Sequence, residues 1–175
     1  MTTQTATDTR PPAQVEPPVS PEPIMRLASG FMAAKHLFAA NELGIFEALG
    51  DSPATIEQLA ARTGLTPRAA RISADAMVAL ELLERQEDRY SNSRLSATFL
   101  AGLTPADLRP FLRFWDRISY PAWTRFAEAL ASGPPQEIFE LDDELQEIAS
   151  AGIESILAGP AATLGRVYDF SRHAH

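Results

Sequence analysis

The sequence predicts a mainly α-helical fold with one embedded winged helix-turn-helix. Three observations carry this. Thr55-Ile-Glu-Gln58 has the form of a capping box, and Gly64 follows at the distance where a helix of two turns would stop. Thr66-Pro67 then restarts a helix, with a capping hydroxyl ahead of a proline at the first helical position. Beyond it lies a polar run, residues 84–91, whose Glu87-Asp88 pair suits a turn between two short strands, the wing.

Residues 1–23 hold six of the 14 prolines (Pro11, Pro12, Pro17, Pro18, Pro21 and Pro23) and almost nothing apolar. Proline fixes φ and removes donors, so this stretch reads as a disordered or polyproline-like tail. Residues 24–40 carry only Arg26 and Lys35 as charges, with His36 beside them. Apolar residues fall there at Ile24, Leu27, Phe31, Leu37 and Phe38, but also at Met25, Met32, Ala33 and Ala34. A helix apolar on so many sides must be covered on more than one of them, by its own domain or by a second subunit. A short helix over 42–49 follows and ends at Gly50.

The helix that starts at Thr66 is expected to run through Leu83. Thr104-Pro105 opens a turn of helix, and a helix restarted at Pro110 reaches Ser119. Pro121 opens another, ending at Gly133-Pro134-Pro135. Asp142 caps a helix from Asp143 to Ala158, stopped by Gly159, and Pro160 begins a last one that reaches about Tyr168. No strand is predicted outside the wing. The expected divisions are a tail at 1–23, a winged-helix region at 24–103 and a helical region at 104–175.

The 175-residue chain is 45% hydrophobic and 22% charged, enough apolar material for a sizeable core. Lys+Arg number 15 against 23 Asp+Glu, a formal net charge of -8, which argues against a role built on phosphate contacts. Cysteine is absent, which removes disulfides, thiolate metal sites and thiol nucleophiles. No basic start with an apolar run opens the chain, and no stretch approaches the roughly 18 apolar residues of a membrane span. A soluble cytoplasmic protein is expected.

The helix-turn-helix invites a DNA reading, in which Arg68 and Arg71 on the second helix and Arg85 and Arg89 on the wing meet the duplex. Yet residues 55–99 hold six basic and six acidic residues, and Asp75 continues the arginine face one turn on. A DNA reader presents a basic stripe. The same helix is rich in Ala, Ile, Met and Val, which points to burial. Both observations argue against nucleic acid as a partner, and a winged helix used as a packing module fits better.

Four segments carry a family resemblance: the apolar opening ending in Asn41-Glu-Leu-Gly-Ile-Phe-Glu-Ala-Leu49; Thr55-Ile-Glu-Gln-Leu-Ala-Ala-Arg-Thr-Gly-Leu-Thr-Pro67; Ala79-Leu-Glu-Leu-Leu-Glu84 with Tyr90-Ser-Asn; and Val167-Tyr-Asp-Phe-Ser171. In that order and spacing, over residues 24–175, the chain resembles the N-terminal half of the S-adenosylmethionine-dependent O-methyltransferases of the plant and polyketide type. The resemblance implies a helical dimerisation domain whose first helices interlock with a partner, here with Ile24, Leu27, Phe31, Met32, Leu37 and Phe38 at the interface of a homodimer. It implies that the parent enzyme binds S-adenosylmethionine and methylates a hydroxyl of an aromatic or polyketide-like acceptor. The cofactor and catalytic base belong to a Rossmann-like domain that this chain is expected to lack. The sequence closes on Ser171-Arg-His-Ala-His175, about where that domain would begin, and its nine glycines form no G-x-G. The chain alone is expected to bind no cofactor and to be catalytically silent, and no catalytic, cofactor or metal residue is assigned. The family often places Gly where this chain has Glu81, a better helix former that is expected to lengthen its helix by a turn. A transcription regulator and a stand-alone dimeric binding or partner protein are the alternatives.

In the family the N-terminal half contributes walls to the acceptor site. Phe111, Trp115 and Ile118 fall at i, i+4 and i+7, with Tyr120 and Trp123 beside Pro121. Rings with a polar edge suit an aromatic acceptor. Ile153 and Leu157, on the later helix, are expected to face the same pocket. His36 reads as a packed histidine, and His173 and His175 lack the further ligands a metal needs. Glu140, Asp142, Asp143 and Glu144 crowd a helix start, where they complement the dipole instead of forming a catalytic pair.

Overall fold

The computed structural model describes residues 19–133 and 141–169. Two compact units divide at Gly30: residues through Gly30, and residues from Phe31 onward. Helix α1 is Glu22–Glu42, longer at both ends than 24–40. In the first unit Arg26 pairs with Glu22 one turn back and the Ser29 hydroxyl donates to the Met25 carbonyl. The expected tail at 1–23 lies outside the described residues up to position 18, and its last two residues are already helical.

The second unit contains the core. Gly44, at φ 67, breaks the chain between α1 and the short α2 (Ile45–Leu49), so the second helix starts later than the expected 42. β1 (Ala54–Thr55) leads into α3 (Ile56–Thr63). Thr55 Oγ1 accepts from the Gln58 amide at 3.4 Å and Gln58 Oε1 accepts from the Thr55 amide at 3.0 Å, so the capping box is complete. Gly64 closes α3 in the left-handed region at φ 71. The Thr66 hydroxyl accepts from the Ala69 amide at 3.2 Å and Pro67 opens α4 (Pro67–Ala79). Ala70, Ala74 and Met77, one residue per turn, are fully buried.

The end of α4 departs from expectation. The helix stops at Ala79, not Leu83. The Leu82 amide donates to the Met77 carbonyl (2.9 Å) and the Glu81 amide to Val78 (3.0 Å), a Schellman motif. Its left-handed position is Glu81, at φ 60. Leu83 must enter β2 with its side chain buried, so the chain has to reverse over 80–82, and helix propensity at Glu81 does not outweigh that. A side chain with a Cβ is strained here. Glu81→Gly is therefore expected to stabilise the protein by about 1 kcal/mol, and Glu81→Ala, which keeps the Cβ, to leave it nearly unchanged. Urea unfolding of the two variants checks this.

β2 (Leu83–Gln86) and β3 (Arg89–Asn92) pair antiparallel around Glu87-Asp88, as the wing reading expects. β1 adds a third strand, pairing Ala54 with Tyr90 and Thr55 with Arg89 in the order β1-β3-β2. No strand was expected outside the wing; two residues are too few for a period-2 signal. The core gathers Ile45, Phe46 and Leu49 of α2, Leu59 of α3, Met77 of α4 and Tyr90 of β3, with Leu37 packed against it.

α5 (Arg94–Phe99) is capped by Ser93. No helix forms at Thr104-Pro105. The Thr104 hydroxyl donates to the Thr98 carbonyl and accepts from the Ala106 amide, and the Leu108 amide reaches Phe99, so the segment's polar groups find partners without helix. α6 (Arg109–Phe114) continues into a π-helical turn, Trp115–Ser119, and then α7 (Tyr120–Thr124). Pro121 lacks the N–H and crowds the preceding turn, and a widened turn relieves that conflict. The expected single helix from Pro121 breaks at Arg125 before α8 (Phe126–Ser132), and Gly133 ends it at φ 85. Pro134 and Pro135 lie outside the described residues. α9 (Asp143–Val167), capped by Asp142 through the Leu145 amide, runs straight through Gly159 and Pro160, where a stop and restart were expected.

Candidate functional site

α6, the π-helical turn and α9 position the predicted acceptor residues. Gly152 of α9 is buried beneath Phe114, whose Cβ sits where a side chain would start, so the two helices meet there. Phe114 lies between the predicted Phe111 and Trp115, with ring centroids 6.1 Å and 6.3 Å away; Phe111 and Trp115 are 5.8 Å apart and nearly perpendicular. Ile118 is half-buried in the π-helical turn. Tyr120 stands apart from this cluster: the Lys35 ammonium rests 4.8 Å over its ring while pairing with Asp116. Trp123 pairs with Phe126 at 5.0 Å, both exposed. Ile153 and Leu157 of α9 are about half exposed.

The seven residues thus fall into separate groups and, among the described residues, do not close around one pocket. Sequence reasoning passed over Phe114 and Phe126, which continue the aromatic pattern at short spacing. It also passed over Lys35–Asp116, which spans 81 residues and leaves no local signal.

A polar cavity of about 550 Å³ opens between Asn41, Glu42 and Glu47 on one side and Glu147 and Ile148 on the other. Arg109 dominates it. Its guanidinium binds Asp107 through Nε (2.9 Å) and Nη2 (2.7 Å) and Glu47 through Nη1 (2.5 Å). It lies against Gly102, at φ 72, where any Cβ would collide with it. Burial pushes the Asp107 carboxyl up, but the hydrogen bonds and charge of Arg109 outweigh it and hold the group below its ordinary value. Because the folded value is lowered, this pair stabilises the fold fully above about pH 4 and less as pH falls through the lowered value. Arg109→Met is expected to cost about 2 kcal/mol at pH 7, less than for a fully buried pair because Arg109 keeps 27% of its side chain exposed. The variant should also flatten the loss of stability between about pH 4 and pH 2, measured by urea unfolding at each pH.

The wing arginines are engaged by groups of their own chain. Arg85 lies 5.2 Å over the Tyr90 ring and 3.7 Å from Asp75, and Arg89 donates to the Pro53 carbonyl. Asp75 also accepts from the Tyr90 hydroxyl at 2.6 Å. Among the described residues no group of three His, Asp or Glu is placed to hold a metal, and no helix is long and apolar enough to cross a membrane. His36 is exposed, not packed as expected, and His173 and His175 lie outside the described residues. Asp142 caps α9, and Glu144 pairs with Arg117 at 3.5 Å.

A model of the O-methyltransferase dimerisation domain matches residues 25–102. Residues 25–102 are thus similar to an O-methyltransferase dimerisation domain. Similar proteins include the tetracenomycin polyketide synthesis 8-O-methyl transferase TcmO of Streptomyces glaucescens, 38% identical over 117 residues, which cover 66% of this chain and 34% of TcmO. The N,N-dimethyltransferase OxyT of Streptomyces rimosus is 36% identical over 110 residues, covering 63% of this chain and 32% of OxyT. The chain spans about a third of the length of these relatives. The crystal structure of human N-acetylserotonin methyltransferase in complex with SAM shares the fold, with a TM-score of 0.73 at 23% identity over 95% of this chain and 52% of that one.

The first helix of the matched region is uncovered in part. Leu27 is 84% exposed and Phe31 50%, with Ile24 and Met32 also exposed. Leu37 and Phe38 are less exposed: Leu37 packs in part on the chain's own core and Phe38 is buried. Both lie within α1, about two turns beyond Phe31, on the side that the chain's own core covers.

Proposed function

We propose that this chain is the dimerisation and acceptor-facing half of an S-adenosylmethionine-dependent methyltransferase, working as a homodimer on an aromatic or polyketide-like metabolite. The match of the dimerisation domain over residues 25–102 carries the reading. In this reading Ile24, Leu27, Phe31 and Met32 meet the partner subunit. Phe111, Trp115, Ile118, Tyr120, Trp123, Ile153 and Leu157 supply apolar surface toward the acceptor. An oxygen acceptor follows the domain's name and TcmO; OxyT, by its name, methylates nitrogen.

S-adenosylmethionine supplies an electrophilic methyl group when bound. The described residues do not fit it: their strands form one antiparallel sheet, and none runs into a glycine turn at a helix start. No residue here is assigned to methyl transfer, and the chain alone is proposed to be inactive. Calorimetric titration of S-adenosylmethionine into the 175-residue chain and into the product of the complete reading frame tests this. No heat with the first and saturable binding to the second is expected. Binding to the chain alone, or to neither, contradicts it.

A further inference from the structure

The cavity of about 550 Å³ beside Arg109 holds more acceptors than its own donors satisfy. The carboxyl groups of Glu42, Glu47, Asp107, Glu144 and Glu147 line it, against the guanidinium groups of Arg109 and Arg113. Arg109 is committed to Asp107 and Glu47. Arg113 lies 3.5 Å from Glu42, and Glu144 lies 3.5 Å from Arg117. Among the described residues the Glu147 carboxylate has no ion pair and no side-chain hydrogen bond.

Asn41 supplies an independent observation. It is 9% exposed and lines the same cavity. Its Nδ2 donates to the Arg109 carbonyl at 3.3 Å, which sets the orientation of the amide. Its Oδ1 is then left buried, with no donor among the described residues. Buried acceptors are nearly always paired, so an open one beside an excess of carboxylates calls for a ligand that brings donors and positive charge. Two features select among cations. No three acidic groups of the described residues stand close enough to hold a metal ion, so the negative charge is spread along the cavity instead of focused at a point. Pro110, Ile148 and Ala151 add apolar surface to the same walls. Separated charges with apolar surface beside them suit an aliphatic chain that carries an ammonium group at each end.

We propose that this cavity binds a short aliphatic diamine as its dication, with the Glu147 carboxylate and Asn41 Oδ1 accepting from its ammonium groups. None of the seven residues proposed to face the acceptor lines it, and the proposal does not rest on methyl transfer.

Calorimetric titration of 1,4-diaminobutane into the 175-residue chain at about 0.1 M salt, where surface charges more than about 10 Å apart are screened, is the test. A saturable isotherm is expected, with the side-chain amide signals of Asn41 shifting in the NMR spectrum as the site fills. Butylamine, with one ammonium group, should bind about tenfold more weakly, and magnesium at equal charge should not displace the diamine. Glu147→Gln alters one exposed side chain and should weaken binding about tenfold, the worth of one charge-assisted hydrogen bond. Asp88→Asn removes the same charge from the exposed wing turn and should leave binding unchanged. The absence of saturable binding, an Asn41 amide that does not shift, equal affinity for butylamine, displacement by magnesium, or equal weakening by Glu147→Gln and Asp88→Asn would overturn the proposal.

Discussion

Gly152→Leu is expected to destabilise the protein by about 3 kcal/mol and to separate α6 from α9. A Cβ at Gly152 would lie 2.6 Å from the Phe114 Cβ and 3.3 Å from the Pro110 carbonyl oxygen. Neither can swing aside, since one is the root of a side chain and the other is backbone. Even Gly152→Ala should cost about 2 kcal/mol, although alanine in a helix interior ordinarily gains about 1 kcal/mol over glycine. Gly159, in the same helix with open space around it, supplies the control: Gly159→Ala should stabilise by about 1 kcal/mol. Urea unfolding followed by circular dichroism measures all three. A stabilising Gly152→Ala would mean that Phe114 does not press on α9, and the aromatic cluster with Phe111 and Trp115 would lose its anchor.

Tyr90→Ala should cost about 4 kcal/mol, because the ring is fully buried in the core and its removal leaves a cavity. Tyr90 ties the wing to the helix-turn-helix in two ways. Its backbone pairs with Ala54 on one side and Arg85 on the other, and its hydroxyl donates to Asp75 of α4. Burial, then the hydrogen bond to Asp75, push the phenol above its ordinary value, so it stays protonated and donating through neutral pH. Tyr90→Phe keeps the ring and should cost only about 1 kcal/mol, the net worth of the hydrogen bond. Similar losses for the two variants would contradict a packing role for the ring.

The elements that could be read from the sequence are those whose determinants are local. Thr55 with Gln58, Gly64, and Thr66 with Pro67 each act within one helical turn, and the structure places all of them as read. The departures arise where tertiary demand outweighs propensity. Glu81 takes a left-handed conformation because Leu83 must be buried in β2. Ala54–Thr55 becomes a strand only because β3 lies beside it. The turn at Trp115–Ser119 widens around Pro121, which breaks the even 3.6-residue spacing used to place Ile118 on the face of Phe111 and Trp115. Exposure on α1 divides for the same reason: one helix presents Phe31 outward and Phe38 to the core, and its apolar count alone does not separate them. Lys35 and Asp116 meet across 81 residues, a contact that no spacing rule contains.

Sedimentation of the 175-residue chain, beside Phe31→Asp, tests the central claim that this is a dimerisation domain acting through the uncovered face of its first helix. The account predicts a species of twice the 19.1 kDa chain mass for the unaltered protein and a folded monomer for Phe31→Asp, whose side chain is half exposed and outside the core. An unaltered chain that sediments as a monomer, or a Phe31→Asp variant that remains a dimer, would contradict it.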